Sequence, residues 1–170
     1  IAGAGAIGAL ARMIFHMIDP SIACYMIDIS EEKLALNRKI GIRNTEYVNR
    51  SDLHMLPALD AVIDTTGRGS LIGMLVEKLN GGGYIGCIGF TDTPDPIVVK
   101  PVDLLSKEIT IHGSARFTDT FAPLLAMVGD REEYIQALSR IVTHRFPLEE
   151  ANAAFRKAAF TEDYLKIAIV

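Results

Sequence analysis

Ile1-Ala2-Gly3-Ala4-Gly5-Ala6-Ile7-Gly8 opens the chain, and twenty residues beyond Gly8 the apolar run Ile22-Ala23-Cys24-Tyr25-Met26-Ile27 closes on Asp28. Glycine at these three places answers three steric demands. Gly3 permits a sharp strand-to-helix turn, Gly5 lets a pyrophosphate approach the backbone, and Gly8 lets the helix press on the sheet. A helix starting there presents free N–H groups and the positive end of its dipole, so it holds an anion without a basic side chain. Asp28, at the end of the next strand, is placed to accept the hydroxyls of a ribose and to repel a 2′-phosphate. Neither Ile29 nor Ser30 supplies an arginine to neutralise one. The pattern predicts a dinucleotide site that takes NAD in preference to NADP.

Outward from that turn, residues 6–18 carry Ile7, Leu10, Ile14 and Ile18 at helical spacing, with Arg12, His16 and Asp19 on the opposite stripe and Pro20 as the stop. A strand over 22–28 leads to a helix that starts at Ser30 and ends near Ile40, with Gly41 as a left-handed terminator. Thr45–Val48 reads as the third strand, 49–59 as a polar loop, and Ala61–Ile63 as a fourth strand ending at Asp64-Thr65-Thr66-Gly67. A helix over 70–79 stops at Asn80-Gly81-Gly82-Gly83, and Tyr84–Phe90 is a buried fifth strand. Thr91–Pro96 is a loop, Ile97-Val98-Val99 an edge strand, and Ile109–Gly113 a sixth strand. Strands alternating with helices predict an α/β fold, a doubly wound parallel sheet of the Rossmann type. From Phe117 the pattern turns helical, near 119–128 and 131–141. A helix opened by Pro147 follows, with Leu148, Ala151 and Phe155 inward, and residues 165–170 are strand-like. Two units are expected, a dinucleotide-binding domain over 1–116 and a helical C-terminal tail over 117–170.

Composition narrows the class. A chain of 170 residues, 49% hydrophobic with mean hydropathy +0.25, suffices for one well-buried domain and is rich enough to want a partner surface. A net charge of −4 without a basic cluster argues against nucleic acid or an anionic membrane as partner. Cys24 and Cys87 lie in apolar runs and read as small core residues of a reducing compartment, which places the protein in the cytoplasm. Only Ile1 and Ala2 precede the glycines, where a strand of about five residues is expected, so the chain reads as cut from something longer.

Other strand ends should join the site. Thr65-Thr66-Gly67 and Ile88-Gly89-Phe90 end the fourth and fifth strands, where an open sheet places ribose and nicotinamide. Gly67 and Gly89 equally suit plain strand-to-loop turns. Lys33, one turn into the second helix, is within reach of the ribose or of solvent, and Arg68 suits an adenine face or an exposed position. His16, His54, His112 and His144 have no ligand-spaced neighbours, so no zinc site is assigned to this chain. The G-x-S-x-G elbow of hydrolases is absent; Gly67-Arg68-Gly69-Ser70 does not replace it.

Taken in order, these stretches resemble the medium-chain dehydrogenase/reductase family, its zinc-type alcohol, polyol and threonine dehydrogenases in particular. Gly3–Gly8 is similar to that family's phosphate loop, and Tyr25–Asp28 with Glu31, Glu32 and Lys33 to its ribose-binding strand and helix. Tyr47-Val48-Asn49, Asp60–Gly67, Gly82–Gly89, Lys107–Ser114 and His144–Ala151 resemble later family segments in the same sequence. The resemblance implies cofactor contacts at Gly3, Gly5, Ala6, Ile7, Gly8, Asp28, Ile29, Lys33, Thr65, Thr66, Gly67, Ile88, Gly89 and Phe90. It implies an NAD-dependent oxidoreductase that moves a hydride between an alcohol or carbonyl substrate and nicotinamide. Zinc is expected in the full-length parent and not in this chain, because the family's metal ligands and proton relay belong to a catalytic domain mostly preceding the phosphate loop. The tail from Phe117 resembles the segment that returns to that domain. A homodimer or homotetramer is expected, with Ile97–Val99 and the sixth strand continuing the sheet across a two-fold axis. The spacing from Asn49 to Asp60 is shorter than in many members, which leaves the substrate open. A zinc-free NADPH-dependent quinone or enoyl reductase of the same family is the alternative, followed by a non-catalytic NAD sensor. A methyltransferase lacks support, since neither the acidic residue before the glycines nor the terminal antiparallel hairpin is present.

Overall fold

The computed structural model describes residues 1–92, 94–116 and 119–170. Helix α1 spans Ala6–Ile18 and strand β1 Cys24–Asp28. Helix α2, Glu31–Ile40, starts at Ser30, whose Oγ accepts the Lys33 N–H at 3.3 Å, and stops at Gly41 with φ 85°. Cap chemistry dictates both ends. There follow β2 (Thr45–Asn49), a 3-10 turn (Arg50–Met55), β3 (Leu59–Asp64), α3 (Gly69–Lys78), β4 (Leu79–Cys87), α4 (Pro101–Lys107) and β5 (Thr110–Gly113).

β1 pairs with β2, β3 with β4 and β4 with β5, all parallel. Ala2 joins the two sets. It bridges Ile27 on one side and Asp64 on the other, with the Ala2 N–H donating to Ile63 O and the Gly3 N–H to Ile27 O, both at 2.8 Å. The order β2, β1, Ala2, β3, β4, β5 is a doubly wound sheet. Its winding reverses at Ala2, which opens a crevice at the carboxyl ends beside Gly3. Ile27, Val62, Leu75, Val76 and Ile85 form the core between sheet and helices.

Several local expectations are corrected. On α1, Ile7 and Ile18 are exposed, whereas Gly8, Ala9, Arg12, Met13 and Met17 are buried. Arg12 turns inward because the Tyr47 hydroxyl and Ile42 O (3.4 Å) accept from its guanidinium. Ile97–Val99 forms no strand. Gly69 and Gly73 of α3 present bare backbone on which Asp95–Val98 lies, so close that a Cβ at either glycine would overlap a carbonyl oxygen of that segment. The backbone of that segment therefore lies along α3 outside the sheet, and β5 flanks β4. β4 begins at Leu79, directly after α3, and ends at Cys87, leaving Ile88 and Phe90 exposed.

The tail contains α5 (Phe121–Val128), α6 (Glu132–Ile141), β6 (Val142–Phe146), a 3-10 turn (Leu148–Glu150), α7 (Ala151–Phe160) and β7 (Lys166–Ile169). Phe117, the expected boundary, lies outside the described residues. β6 was not anticipated; it pairs in parallel with β7 across α7. Leu148 and Phe155 are exposed and Ala154 is buried, so α7 is rotated from the expected face. α6 docks the tail, packing Tyr134, Ala137 and Ile141 against Ala9, Met13 and Met17 of α1.

Candidate functional site

The glycine turn is rooted from both sides. Ala2 O accepts the Thr65 N–H and the Thr65 hydroxyl, each at 2.8 Å, which ties the turn to the end of β3. Gly3 adopts φ +100°, and a Cβ there would overlap Thr65 Oγ1. At Gly8 a Cβ would overlap the Gly3 carbonyl oxygen, so this glycine lets the helix press on its own loop and not chiefly on the sheet. Gly5 differs from both: a Cβ there meets nothing within 4 Å. It is the N-cap of α1, with no side-chain cap and no acidic residue in the first turn, so the N–H groups of the first turn lack intrahelical partners.

Asp28 stands against this turn. Its Oδ2 accepts the Ala4 N–H at 2.6 Å and its Oδ1 the Ser30 N–H at 3.0 Å, which leaves lone pairs on both oxygens. The next strand end is shaped by Asp64, fully buried. Its Oδ1 accepts the Thr66 N–H (3.0 Å) and hydroxyl (2.6 Å), and its Oδ2 the Gly67 N–H (3.0 Å). Asp64 O in turn accepts the Ile88 and Gly89 N–H groups at 2.9 Å, bringing the turn at 88–90 against that at 65–67.

Two clefts meet at Asp28. One, about 520 Å³, is lined by Gly3, Gly5, Ala6, Ile7, Asp28, Lys33, Thr65 and Thr66, and closed from the tail by Ala158 and Tyr164 to Ile167. The other, about 160 Å³, is lined by Ile27, Asp28, Ile29, Lys33, Arg50, Thr66, Arg68, Leu71 and Glu162. Most of the expected residues thus converge. Gly8, Gly67, Ile88, Gly89 and Phe90 line neither cleft. Arg50, Glu162, Tyr164 and Lys166 were missed. Arg50 was open to inference, since it follows the carboxyl end of the strand paired with β1; the tail residues arrive only through the docking of β7.

A larger hollow, about 630 Å³, lies at the carboxyl ends of α1 and α2, lined by His16, Arg43, Arg131 and Arg140 among others. Its chemistry is structural: Arg140 donates to Ile40 O at 3.0 Å, satisfying an end carbonyl of α2, and His16 Nδ1 lies 2.9 Å from the Tyr134 hydroxyl. Burial pushes the Cys24 and Cys87 thiols up from their ordinary range, so neither is a ready nucleophile. Among the described residues no group of three or more His, Cys, Asp or Glu side chains is arranged to hold a metal ion.

Strand order, glycine turn and the acidic end of β1 define a Rossmann-type α/β protein of the dehydrogenase kind. The zinc-binding dehydrogenase model matches residues 6–130, and the chain belongs to that family. It is 29% identical over 163 residues to L-threonine 3-dehydrogenase of Burkholderia mallei, covering 91% of this chain and 46% of that protein. Its backbone superposes on a short chain alcohol dehydrogenase of E. coli CFT073 complexed with NADH, with TM-score 0.82, 17% identity, 98% of this chain and 50% of that one. It superposes similarly on S. aureus TarJ in complex with NADPH, with TM-score 0.80, 18% identity, 99% of this chain and 54% of that one. The chain spans about half the length of these relatives.

Proposed function

We propose that this chain is the cofactor-holding portion of an NAD-dependent alcohol or polyol dehydrogenase, with 1–116 as the dinucleotide domain and 117–170 as a tail belonging to the catalytic portion. The observation that carries the reading is the pairing of an uncapped helix start at Gly5 with the Asp28 carboxylate, 2.6 Å from the Ala4 nitrogen, on the wall of one cleft. The first-turn N–H groups of α1 bind the pyrophosphate, and the open space before Gly5 admits it. Lys166, exposed on the tail side of the same cleft, adds a cation. Asp28 accepts the adenosine ribose hydroxyls, while Ile29 and Arg68 flank the adenine. Thr65 to Gly67 and Ile88 to Phe90 lie toward the nicotinamide end. When bound, the nicotinamide supplies the hydride acceptor, and zinc, held by the rest of the parent enzyme, supplies Lewis acidity to the alcohol oxygen. This chain's residues bind and orient the cofactor. Free thiols fit a cytoplasmic setting. A dimer continuing the sheet would use β5 alone, since 97–99 is not a strand.

A second reading, an NADPH-dependent zinc-free reductase, is favoured by one observation: Lys33, Arg50 and Arg68 surround the smaller cleft against only Asp28 and Glu162. Calorimetric titration with NADH and NADPH at matched ionic strength separates them. NADH is expected to bind about tenfold more tightly, and Asp28→Asn to lose about tenfold in NADH affinity and to narrow the preference. Tighter NADPH binding, or indifference to Asp28→Asn, would overturn the NAD reading.

A further inference from the structure

We propose that Asn37 is a positioning residue that aims the glycine turn at the diphosphate, an inference that rests on the dinucleotide reading above. Asn37 lies in α2, is completely buried, and donates from Nδ2 to Ala4 O at 2.7 Å and to Lys33 O at 3.0 Å. The other polar group of Ala4, its N–H, donates to Asp28 Oδ2 at 2.6 Å. Ala4 is therefore gripped at both backbone polar atoms by side chains from the β1 and α2 arm. The peptide between Ala4 and Gly5 is planar and trans, so its C=O and N–H point in opposite directions. With the carbonyl drawn inward to Asn37, the Gly5 N–H is turned away from α2. Among the described residues that N–H has no hydrogen-bond partner, and a Cβ on Gly5 would enter open space.

The support behind Asn37 is itself polar and buried. Its backbone carbonyl oxygen accepts the Tyr47 hydroxyl at 3.2 Å, and the Tyr47 hydroxyl accepts from the guanidinium of Arg12, which is 1% exposed. Burial pushes the Arg12 guanidinium down from its ordinary range and the Tyr47 phenol up. Arg12 Nε, Arg12 Nη2 and Asn37 Oδ1 are buried without a partner. Such groups disfavour folding relative to apolar side chains of the same shape. A pillar running from α1 through β2 and α2 to the glycine turn gives that polarity a use: it fixes one peptide orientation that an apolar core would leave free to rotate.

The test is Asn37→Leu, which keeps the branched outline of the side chain and removes the donor, with dissociation constants for NADH, ADP and adenosine measured by NMR titration. NADH and ADP affinity should fall about tenfold, while adenosine, which engages only the Asp28 side, stays within about twofold. A merely structural role would lower the melting temperature and leave the ratio of ADP to adenosine affinity unchanged; that result, or an equal loss for all three ligands, overturns the proposal. Should Asn37→Leu not fold, Tyr47→Phe serves, with an expected loss of about threefold confined to the diphosphate ligands; no selective loss there overturns it as well. Failure of the unaltered chain to bind NADH would instead contradict the dinucleotide reading.

Discussion

Residues 1–113 build a continuous apolar core on both faces of one sheet, whereas the segment from 119 onward fully buries only Tyr134, Ala137, Ile141, Ala154 and Leu165 of its apolar side chains. In the first region Ile27, Val62, Leu75 and Ile85 are at most 2% exposed, and Met26 and Leu34 close a second cluster beneath α1. In the second, α5 has no buried residue, and Phe121, Leu125, Phe155 and Phe160 are all more than half exposed. What holds the tail is α6, through Tyr134, Ala137 and Ile141, together with the short β6–β7 pair. The two regions also divide the site. The sheet region brings the glycine turn and Asp28, while the tail brings Glu162, Tyr164 and Lys166 to the same clefts. A tail with little core of its own fits the proposal that it belongs with a portion outside this chain.

The difference can be broken from either side. Gly8→Ala should have the largest effect, because its Cβ would meet the Gly3 carbonyl oxygen in rigid backbone; destabilisation of about 4 kcal/mol and loss of NADH binding are expected by chemical denaturation and titration. An unchanged midpoint would show that the turn relaxes freely. Tyr134→Ala should cost about 3 kcal/mol in the α6 interface. Hydrogen exchange should then show α6 and β6 losing protection while β1, β3 and β4 keep theirs. Uniform loss would mean that tail and sheet unfold as one unit.

The smallest effect concerns the turn between α7 and β7, which carries Glu162 to the smaller cleft beside Asp28. Lys157 Nζ donates to both Asp163 oxygens at 2.8 Å, and these bonds, with the Thr161 hydroxyl, hold the Asp163 carboxyl down at about 2 from its ordinary 3.8. A depressed carboxyl pKa contributes stability that is present above the unfolded value and is lost as pH falls through the folded one. The gap in melting temperature between the unaltered chain and Asp163→Asn should therefore be small at neutral pH, shrink below about pH 4 and be mostly lost by about pH 2. A gap at pH 2 as large as at neutral pH would assign the turn's order to other contacts.

Much of the sheet region was legible because its punctuation is local. Ser30 caps, Gly41 terminates, and apolar runs alternate with helical periods. The glycine turn and Asp28, which the structure brings to one cleft, were legible for the same reason, being a turn and a strand end. What failed was what depends on distant partners. Arg12 reads as a solvent residue until Tyr47, thirty-five positions away, receives its guanidinium. Ile97–Val99 has strand composition, but the bare backbone of Gly69 and Gly73 draws that segment onto α3, and Pro101 then starts α4 at its first turn. β6 exists because β7 pairs with it, and Arg50 and Glu162 reach Asp28 through sheet order and tail docking.

The most direct test is a backbone-amide NMR titration of the chain with NADH. The amides of Gly5, Ala6 and Ile7, together with those of Asp28 and Ile29, should shift first and farthest, at one-to-one stoichiometry. Shifts confined to the hollow around His16, Arg43 and Arg140, or no saturable shift at millimolar NADH, would contradict the account.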